Sequence, residues 1–322
     1  MILPYQPARK YRYFIMLALT LLLNAAAFAQ LNSRYLTQYT ELDGVPGAQV
    51  NKVLPDRLGY IWIGTINGLA RYDGYEFKRY FNNPNDSNSI QGGIVWSLFE
   101  DHKGQIWAGC SPSYLNVYNP VTKSFRQQGF THLVEHPANV ELGIVDFAED
   151  NKGRIYLGVM SNYGERLSSG LLYVDENDGE TKKFTTPDSL PVQNVYKMKK
   201  DKDGNIWVMS YSGLFKIDAN RKISKFHSLD EPLKLKNEGA TDIYFDKEGQ
   251  MWVITSKSRL INFNQTDGTY KIFTPEGTLN DDRIYNSMAI DKNENIWMGT
   301  SKGLTGFNRK LERFEFFKNE LP

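Results

Sequence analysis

Histidine, cysteine and carboxylate residues are the first places to look for chemistry in this chain. The most suggestive run is His132-Leu133-Val134-Glu135-His136. Two histidines and a glutamate at this spacing could hold zinc in a hydrolase if both rings project from one face of a stable helix and a third ligand arrives from elsewhere. Gly129 precedes the run and Pro137 follows it at once, so no such helix is expected and the zinc reading is set aside. Asp175-Glu176-Asn177-Asp178-Gly179-Glu180 and Asp291-Lys292-Asn293-Glu294-Asn295 suggest calcium loops at first sight. Neither places glycine after three alternating oxygen ligands, as an EF-hand requires. Cys110 is the only cysteine, which excludes a paired-cysteine metal site and an intramolecular disulfide. There is no nucleophile elbow and no phosphate-cradling glycine loop. We expect no catalytic residue, no metal and no cofactor.

The residues that recur are of another kind. Asp56-Arg-Leu-Gly-Tyr-Ile-Trp-Ile-Gly-Thr65 returns as Asp101-His-Lys-Gly-Gln-Ile-Trp-Ala-Gly109, then as Asp150-Asn-Lys-Gly-Arg-Ile-Tyr-Leu-Gly158. Three further copies start at Asp201, Asp246 and Asp291. Their aromatic anchors are Trp62, Trp107, Tyr156, Trp207, Trp252 and Trp297, spaced by 45, 49, 51, 45 and 45 residues. A period near 45 fits the roughly 40–45 residues of a four-stranded propeller blade. Helical repeats share that length, but helical periodicity is absent.

Each copy reads as four strands. Ile94 to Phe99, Val195 to Met198 and Tyr285 to Ile290 suit an innermost strand. Asp-x-x-Gly makes a turn in which Asp accepts local backbone N–H groups and Gly takes positive φ. The Ile-Trp pair lies on the second strand. Gly-Leu-x-x-Tyr/Phe-Asp/Asn frames a third, at 68–73, 213–218 and 303–308. A basic-aromatic edge strand closes the unit at 75–81, 123–126, 182–184, 222–226, 270–273 and 313–317, where charge protects against edge pairing. One blade cannot bury both faces, so neighbours must stack, and the recurring indole is the expected wedge between them. The fold class expected is all-β, a β-propeller of four-stranded antiparallel blades.

These copies resemble the two-component regulator propeller repeat, Asp-x-x-Gly-x-Ile-Trp-x-Gly-Thr followed by Gly-Leu-x-x-Tyr-Asp. The linker Asn83-Pro-Asn-Asp-Ser-Asn-Ser89, leading to Val95-Trp96-Ser97, is similar to that family as well, and the resemblance covers residues 35–322. It implies the periplasmic input region of a hybrid histidine kinase of the Bacteroidetes type, many of which detect glycan breakdown products. It also implies a tyrosine-rich immunoglobulin-like domain, a membrane helix and a kinase core downstream; the expectation is that this chain carries no downstream membrane helix, kinase domain or receiver domain. Tyr35 to Tyr39 reads as an outer strand that completes a blade begun elsewhere. Glu320-Leu321-Pro322 stops where Ser189-Leu190-Pro191 leads into the fourth repeat. The expectation is six repeats of a seven-bladed propeller, in a fragment or truncated gene product; a closed six-bladed ring is the alternative.

The N-terminus speaks for export. Arg9, Lys10 and Arg12 precede an apolar run from Phe14 to Leu23, and Ala27-Phe28-Ala29 offers a cleavage site. Residues 1–29 are expected to be a signal peptide and 30–322 the propeller domain, placed in the periplasm. Cleavage carries the formal net charge from +1 to −2, which leaves no electrostatic case for nucleic acid, and no membrane span remains.

Long loops on a rigid scaffold are where binding residues concentrate. The inter-blade linkers at 82–93, 127–142, 185–193, 227–240 and 274–283 share one face with the loops between second and third strands. On that face the candidate ligand-binding residues are Asn67, Tyr114, Tyr163, Arg166, Tyr211, Lys257 and Lys302. Tyrosine can stack on a sugar, and the amide and cations can bond hydroxyls or anionic groups. The expected partners are an oligosaccharide ligand, or a second propeller or signalling domain, with homodimerisation open in a full-length context. Two rival functions remain: a propeller lyase resembling streptogramin lyase, and a structural protein-docking module. A lyase needs histidine and acidic metal ligands on one face, whereas the four histidines here occupy unrelated positions.

Overall fold

The computed structural model describes residues 39–134, 140–161, 170–184, 192–210, 213–225, 240–255, 258–265, 267–275 and 285–317. Within them lie six four-stranded antiparallel sheets, each built from four strands in sequence order. Blade one comprises β1 (Val50–Pro55), β2 (Ile61–Thr65), β3 (Gly68–Tyr72) and β4 (Phe77–Tyr80). Blade two holds β5 (Ile94–Glu100), β6 (Ile106–Ser111), β7 (Tyr114–Asn119) and β8 (Ser124–Gly129). Blade three holds β9 (Leu142–Glu149), β10 (Ile155–Ser161), β11 (Leu171–Val174) and β12 (Thr181–Lys183). Blade four follows as β13 (Val195–Lys200), β14 (Ile206–Ser210), β15 (Gly213–Ile217) and β16 (Ile223–Lys225). Blade five is β17 (Ala240–Phe245), β18 (Met251–Thr255), β19 (Leu260–Phe263) and β20 (Tyr270–Phe273). Blade six is β21 (Tyr285–Ile290), β22 (Ile296–Thr300), β23 (Gly303–Asn308) and β24 (Arg313–Phe317).

The first strands β1, β5, β9, β13, β17 and β21 pack on one another in succession, so they surround the axis. The repeating turn explains why the chain folds this way locally. In blade two the Asp101 backbone N–H and the Gln105 carbonyl pair at 3.1 Å, and the Gly104 N–H returns to the Asp101 carbonyl at 3.0 Å. Gly104 sits at φ 78°, where a side chain is disfavoured. Copy six, which lacks the glycine, places Glu294 in the same left-handed conformation at φ 67°.

The apolar core lies between blades rather than within them. Trp62 and Leu69 of blade one meet Leu98, Ile106, Ala108 and Tyr118 of blade two. Trp107, Tyr156, Trp207 and Trp252 each open the next junction in the same way. In every case the anchor faces forward, and the residues on either side of it face back. Alternation along a strand dictates this arrangement, and the wedge expected from the sequence is what is observed.

Three details depart from the reading above. The edge strands are shorter than expected in blade one, Phe77–Tyr80, because the Asp73 carboxylate holds Tyr75 and Glu76 N–H groups in a turn. Residues 35–38 lie outside the described residues, and Tyr39 is not in a strand. Its ring instead packs on Tyr72 and Phe77 of blade one, with the two tyrosine hydroxyls 2.9 Å apart. The linker 82–93 is exposed over residues 82–88 but is tied into the first junction at its end. Ile90 is buried in the first junction, the Gln91 N–H donates to Asn116 Oδ1 at 2.8 Å, and Asn116 Nδ2 returns a bond to the Gln91 carbonyl at 3.0 Å. Of the His-x-x-Glu-His run, Thr131–Leu133 forms one short 3-10 turn, and Val134 is buried in the second junction; Glu135 and His136 lie outside the described residues.

Candidate functional site

The first strand of every blade carries a bulge near its start, and that bulge builds the axial site. Register shifts fall between Val50 and Lys52, Val95 and Ser97, Val195 and Lys197, Ala240 and Asp242, and Tyr285 and Ser287. In blade three the matching irregularity lies between Ile144 and Asp146. A bulge leaves one residue unpaired and re-aims the side chains around it. Two rings of equivalent positions result. The bulged residues are Asn51, Trp96, Val145, Tyr196, Thr241 and Asn286. The residues after them are Lys52, Ser97, Asp146, Lys197, Asp242 and Ser287, each ten positions before its aromatic anchor.

Several of these side chains tie one blade to the next. Asn51 Nδ2 donates to the Val95 carbonyl at 3.0 Å, and Thr241 Oγ1 donates to the equivalent Tyr285 carbonyl at 2.6 Å. Ser97 Oγ donates to the Ile144 carbonyl at 2.5 Å. Asp146 Oδ2 accepts the Met198 N–H at 2.8 Å, and Asp242 Oδ2 accepts the Met288 N–H at 2.9 Å. Both aspartates are buried, and a buried carboxylate needs such donors. Trp96 Nε1 is held by Ser111 Oγ at 2.7 Å, and Tyr196 is exposed.

The ring is charged as well as polar. Lys197 Nζ lies 3.9 Å from Asp242 Oδ1. Burial opposes its charge, but Asp146 and then Asp242 more than offset this and raise its pKa above the ordinary lysine value. Lys52 behaves oppositely. Burial pushes its ammonium below the ordinary value, Asp146 draws it partly back, and Lys197 and Lys199 depress it further. Lys52 on blade one thus feels charges on blades three, four and five, as residues around a shared axis should.

Of the seven candidates from the sequence, Tyr163, Arg166, Tyr211 and Lys257 lie outside the described residues. Asn67 and Lys302 sit in the β2–β3 and β22–β23 turns, both exposed, each donating its backbone N–H to a threonine hydroxyl at 3.1 Å. Tyr114 opens β7 and is partly buried against the first junction. The three occupy the same edge of their separate blades, and it is the edge at which the first strands begin, since Val50 pairs with Thr65, Ile94 with Ser111 and Tyr285 with Thr300. Sequence reasoning missed the axial rings. Counting back ten and eleven residues from each anchor would have found them.

Comparison with known proteins is consistent with this architecture. Residues 189–212 and 278–302 match the repeat described as two component regulator propeller, so the chain carries two-component regulator propeller repeats. A segment of 62 residues is 40% identical to histidine kinase P4 of Formosa agariphila; the match spans 19% of this chain and 4% of that protein. Among solved structures, the extracellular domain of a putative hybrid two component system from B. thetaiotaomicron superposes with a TM-score of 0.66. It shares 21% identity over 88% of this chain and 36% of that one. A second such extracellular domain from B. thetaiotaomicron gives a TM-score of 0.63 at 22% identity, covering 85% and 36% of the two chains. Virginiamycin B lyase from Staphylococcus aureus, in a catalytically inactive form with quinupristin, gives 0.62 at 11% identity over 85% of each chain. The chain spans about a third of the length of the first two structures. At these identities the structural likenesses establish the propeller fold.

Proposed function

We propose that this propeller is the ligand-sensing part of a two-component signalling system, exported to the periplasm by residues 1–29, and that it recognises glycan-derived oligosaccharides without converting them. The observation that carries the reading is the match of residues 189–212 and 278–302 to regulator propeller repeats. The axial end supports it: polar, charged and aromatic side chains gather there on rigid strands, as recognition of a hydroxyl-rich ligand requires. Titration calorimetry against a panel of neutral and acidic oligosaccharides, with and without divalent metal, tests it. Saturable heat with the sugar recovered intact is the expected result. Metal-dependent bond cleavage would transfer the assignment to a lyase.

We further propose that a seventh blade of the same repeat completes the ring. The support comes from the two outward faces of the array. At five junctions the aromatic anchor is buried, yet Trp297 of blade six remains partly exposed. In five blades both neighbours of the anchor are buried, as with Ile106 and Ala108, yet Ile61 and Ile63 of blade one remain partly exposed. The first strands β21 and β1 do not pack on each other as successive first strands do. A blade offering an Ile-x-Ile face to Trp297 and an indole to Ile61 and Ile63 would bury both. Two complementary free faces on one molecule favour head-to-tail association. Sedimentation of this chain should therefore show concentration-dependent self-association that Ile63→Asp weakens. A monomer at every concentration, with Trp297 shielded from acrylamide, would favour a closed six-bladed ring.

A further inference from the structure

We propose that the cavity between the turns of blades one and two binds a small oxyanion, a carboxylate or sulfate group, with Arg71 as its principal donor. The cavity measures about 130 Å³, and Tyr60, Trp62 and Arg71 of blade one line it together with Lys103 and Pro120 of blade two. Pockets for drug-sized ligands run to about 300–1,000 Å³, so this one suits a group of a few heavy atoms. It lies at the end that holds the Asp-x-x-Gly turns, opposite the end proposed for the saccharide, and does not rest on that reading.

The guanidinium of Arg71 stands 4.1 Å from the Tyr60 ring centroid and 5.9 Å from that of Trp62. An aromatic ring takes up a face of a guanidinium, whereas the N–H groups lie in its plane and need acceptors of their own. Arg71 Nε is buried and has no hydrogen-bond partner among the described residues. A charged donor withdrawn from water in that way is costly. The carboxylates that line the cavity are committed elsewhere. Asp56 Oδ1 accepts the Leu58 and Tyr60 N–H groups, both at 2.9 Å, and its Oδ2 accepts the Trp62 indole N–H at 2.8 Å. Glu100 accepts the Arg57 backbone N–H at 3.0 Å and its Nε at 2.6 Å.

Two other junctions show what the first one lacks. Arg309 of blade six stands 5.0 Å from the Trp252 ring and donates to Asp246 Oδ2 at 2.8 Å and to Glu294 Oε2 at 2.7 Å. Arg221 of blade four donates to Asp150 Oδ2 at 2.8 Å and to Glu176 Oε1 at 2.6 Å. Both arginines come from the turn between the third and fourth strands of the following blade. Each is held by the turn aspartate and by a second carboxylate. Blade two has Pro120-Val-Thr-Lys123 in that turn, and Pro120 follows Asn119 at the end of β7 as Arg309 follows Asn308 at the end of β23. The guanidinium beside Trp62 therefore comes from β3 of blade one, and no carboxylate among the described residues plays the part of Glu176 or Glu294 for its Nε. An entering oxyanion supplies that part through charge-assisted hydrogen bonds from Arg71. The lining favours it, since Arg57, Arg71 and Lys103 outnumber Asp56 and Glu100 by one charge.

Arginine Nε–H resonances of the full chain are followed by proton–nitrogen NMR during titration with sodium acetate, sodium sulfate and sodium chloride at equal ionic strength. The Arg71 resonance is the one lost in Arg71→Lys or, should that variant not fold, the one with nuclear Overhauser contacts to the Tyr60 ring. It should move saturably in acetate or sulfate and not in chloride, with half-saturation on the order of 1–10 mM. The anion with the lower half-saturation is the preferred group. The Arg221 resonance, assigned in the same way from Arg221→Lys, should stay in place because its Nε is already bonded to Asp150. Equal movement in chloride, a shift that grows without saturating, or the same response at Arg221 would overturn the proposal, as would an Arg71 resonance that no anion moves.

Discussion

Asp201 Oδ2 accepts the indole N–H of Trp207 at 2.8 Å, while Oδ1 of the same carboxylate accepts the N–H groups of Asp203 and Asn205 at 3.0 and 2.9 Å. The same clamp joins Asp56 to Trp62, Asp101 to Trp107, Asp246 to Trp252 and Asp291 to Trp297. In blade three Tyr156 reaches Asp150 less closely, at 3.4 Å. One side chain therefore closes the turn and fixes the rotamer of the wedge that builds the next junction. The Asp at the head of each copy and the Trp six residues later belong to one device.

That device is directly testable. Asp201→Ala leaves a buried indole N–H and two backbone N–H groups without an acceptor, and we expect a loss of about 2–4 kcal/mol in urea unfolding. Asp201→Asn keeps one acceptor oxygen and should lose less than half as much. Equal losses would show that the carboxylate contributes charge rather than hydrogen-bond geometry.

Gly109 lies where the second strand of blade two meets the first strand of blade three. A Cβ there would collide with the Ile144 backbone carbonyl and with Ser97 Oγ. Gly109→Ala is expected to cost about 1–3 kcal/mol because backbone at a close approach cannot yield. Ala at Gly129, where a Cβ meets nothing, should be nearly neutral in the same assay.

Charge stitches the turns of neighbouring blades. Arg221 Nε donates to Asp150 Oδ2 at 2.8 Å, and its Nη1 donates to Glu176 at 2.6 Å. Burial works against the Asp150 carboxylate, but Arg221 and the N–H groups of Arg154 and Lys152 more than offset it and hold its pKa below the ordinary value. Glu176 is lowered likewise. A carboxylate with a lowered folded pKa stabilises the fold above its unfolded value, near pH 4, and loses that contribution as pH falls through the folded value. Arg221→Ala should therefore cost on the order of 1–3 kcal/mol at neutral pH. The gap from wild type should narrow below about pH 4. A gap independent of pH would point to lost packing alone.

Cys110 is fully buried, and that burial pushes its thiol up to about 12. A thiol so protonated and enclosed is a poor nucleophile. Ellman's reagent should label it only as fast as the protein unfolds. Rapid labelling of the native chain would contradict the packing of the first junction.

The sequence displayed most of this architecture because each blade restates it. Six anchors at near-constant spacing dictate six sheets, and alternation around each anchor dictates which residues face forward. What stayed hidden depended on distance in space. Asp201 reads as a turn residue from its neighbours, and only the folded strand brings its second oxygen to the indole of Trp207. Lys52 and Lys197 read as unremarkable polar residues in short strands, because a bulge, invisible in composition, turns them toward a shared axis. Tyr39 reads as a strand residue, whereas its ring packs on Tyr72 and Phe77 of blade one. Loop position put Asn67, Tyr114 and Lys302 at the edge where the first strands begin, and the strands beneath them carry the denser polar chemistry.

On the proposed sensing function, the propeller has one ligand-binding end, centred where the first strands begin. Hydrogen–deuterium exchange, with and without the oligosaccharide that gives the largest calorimetric heat, reads this out amide by amide. Protection should concentrate at the starts of β1, β5, β13 and β21 and in the turns holding Asn67 and Lys302. Protection at the opposite end, around the Asp-x-x-Gly turns, or no protection with any saccharide, would contradict the account.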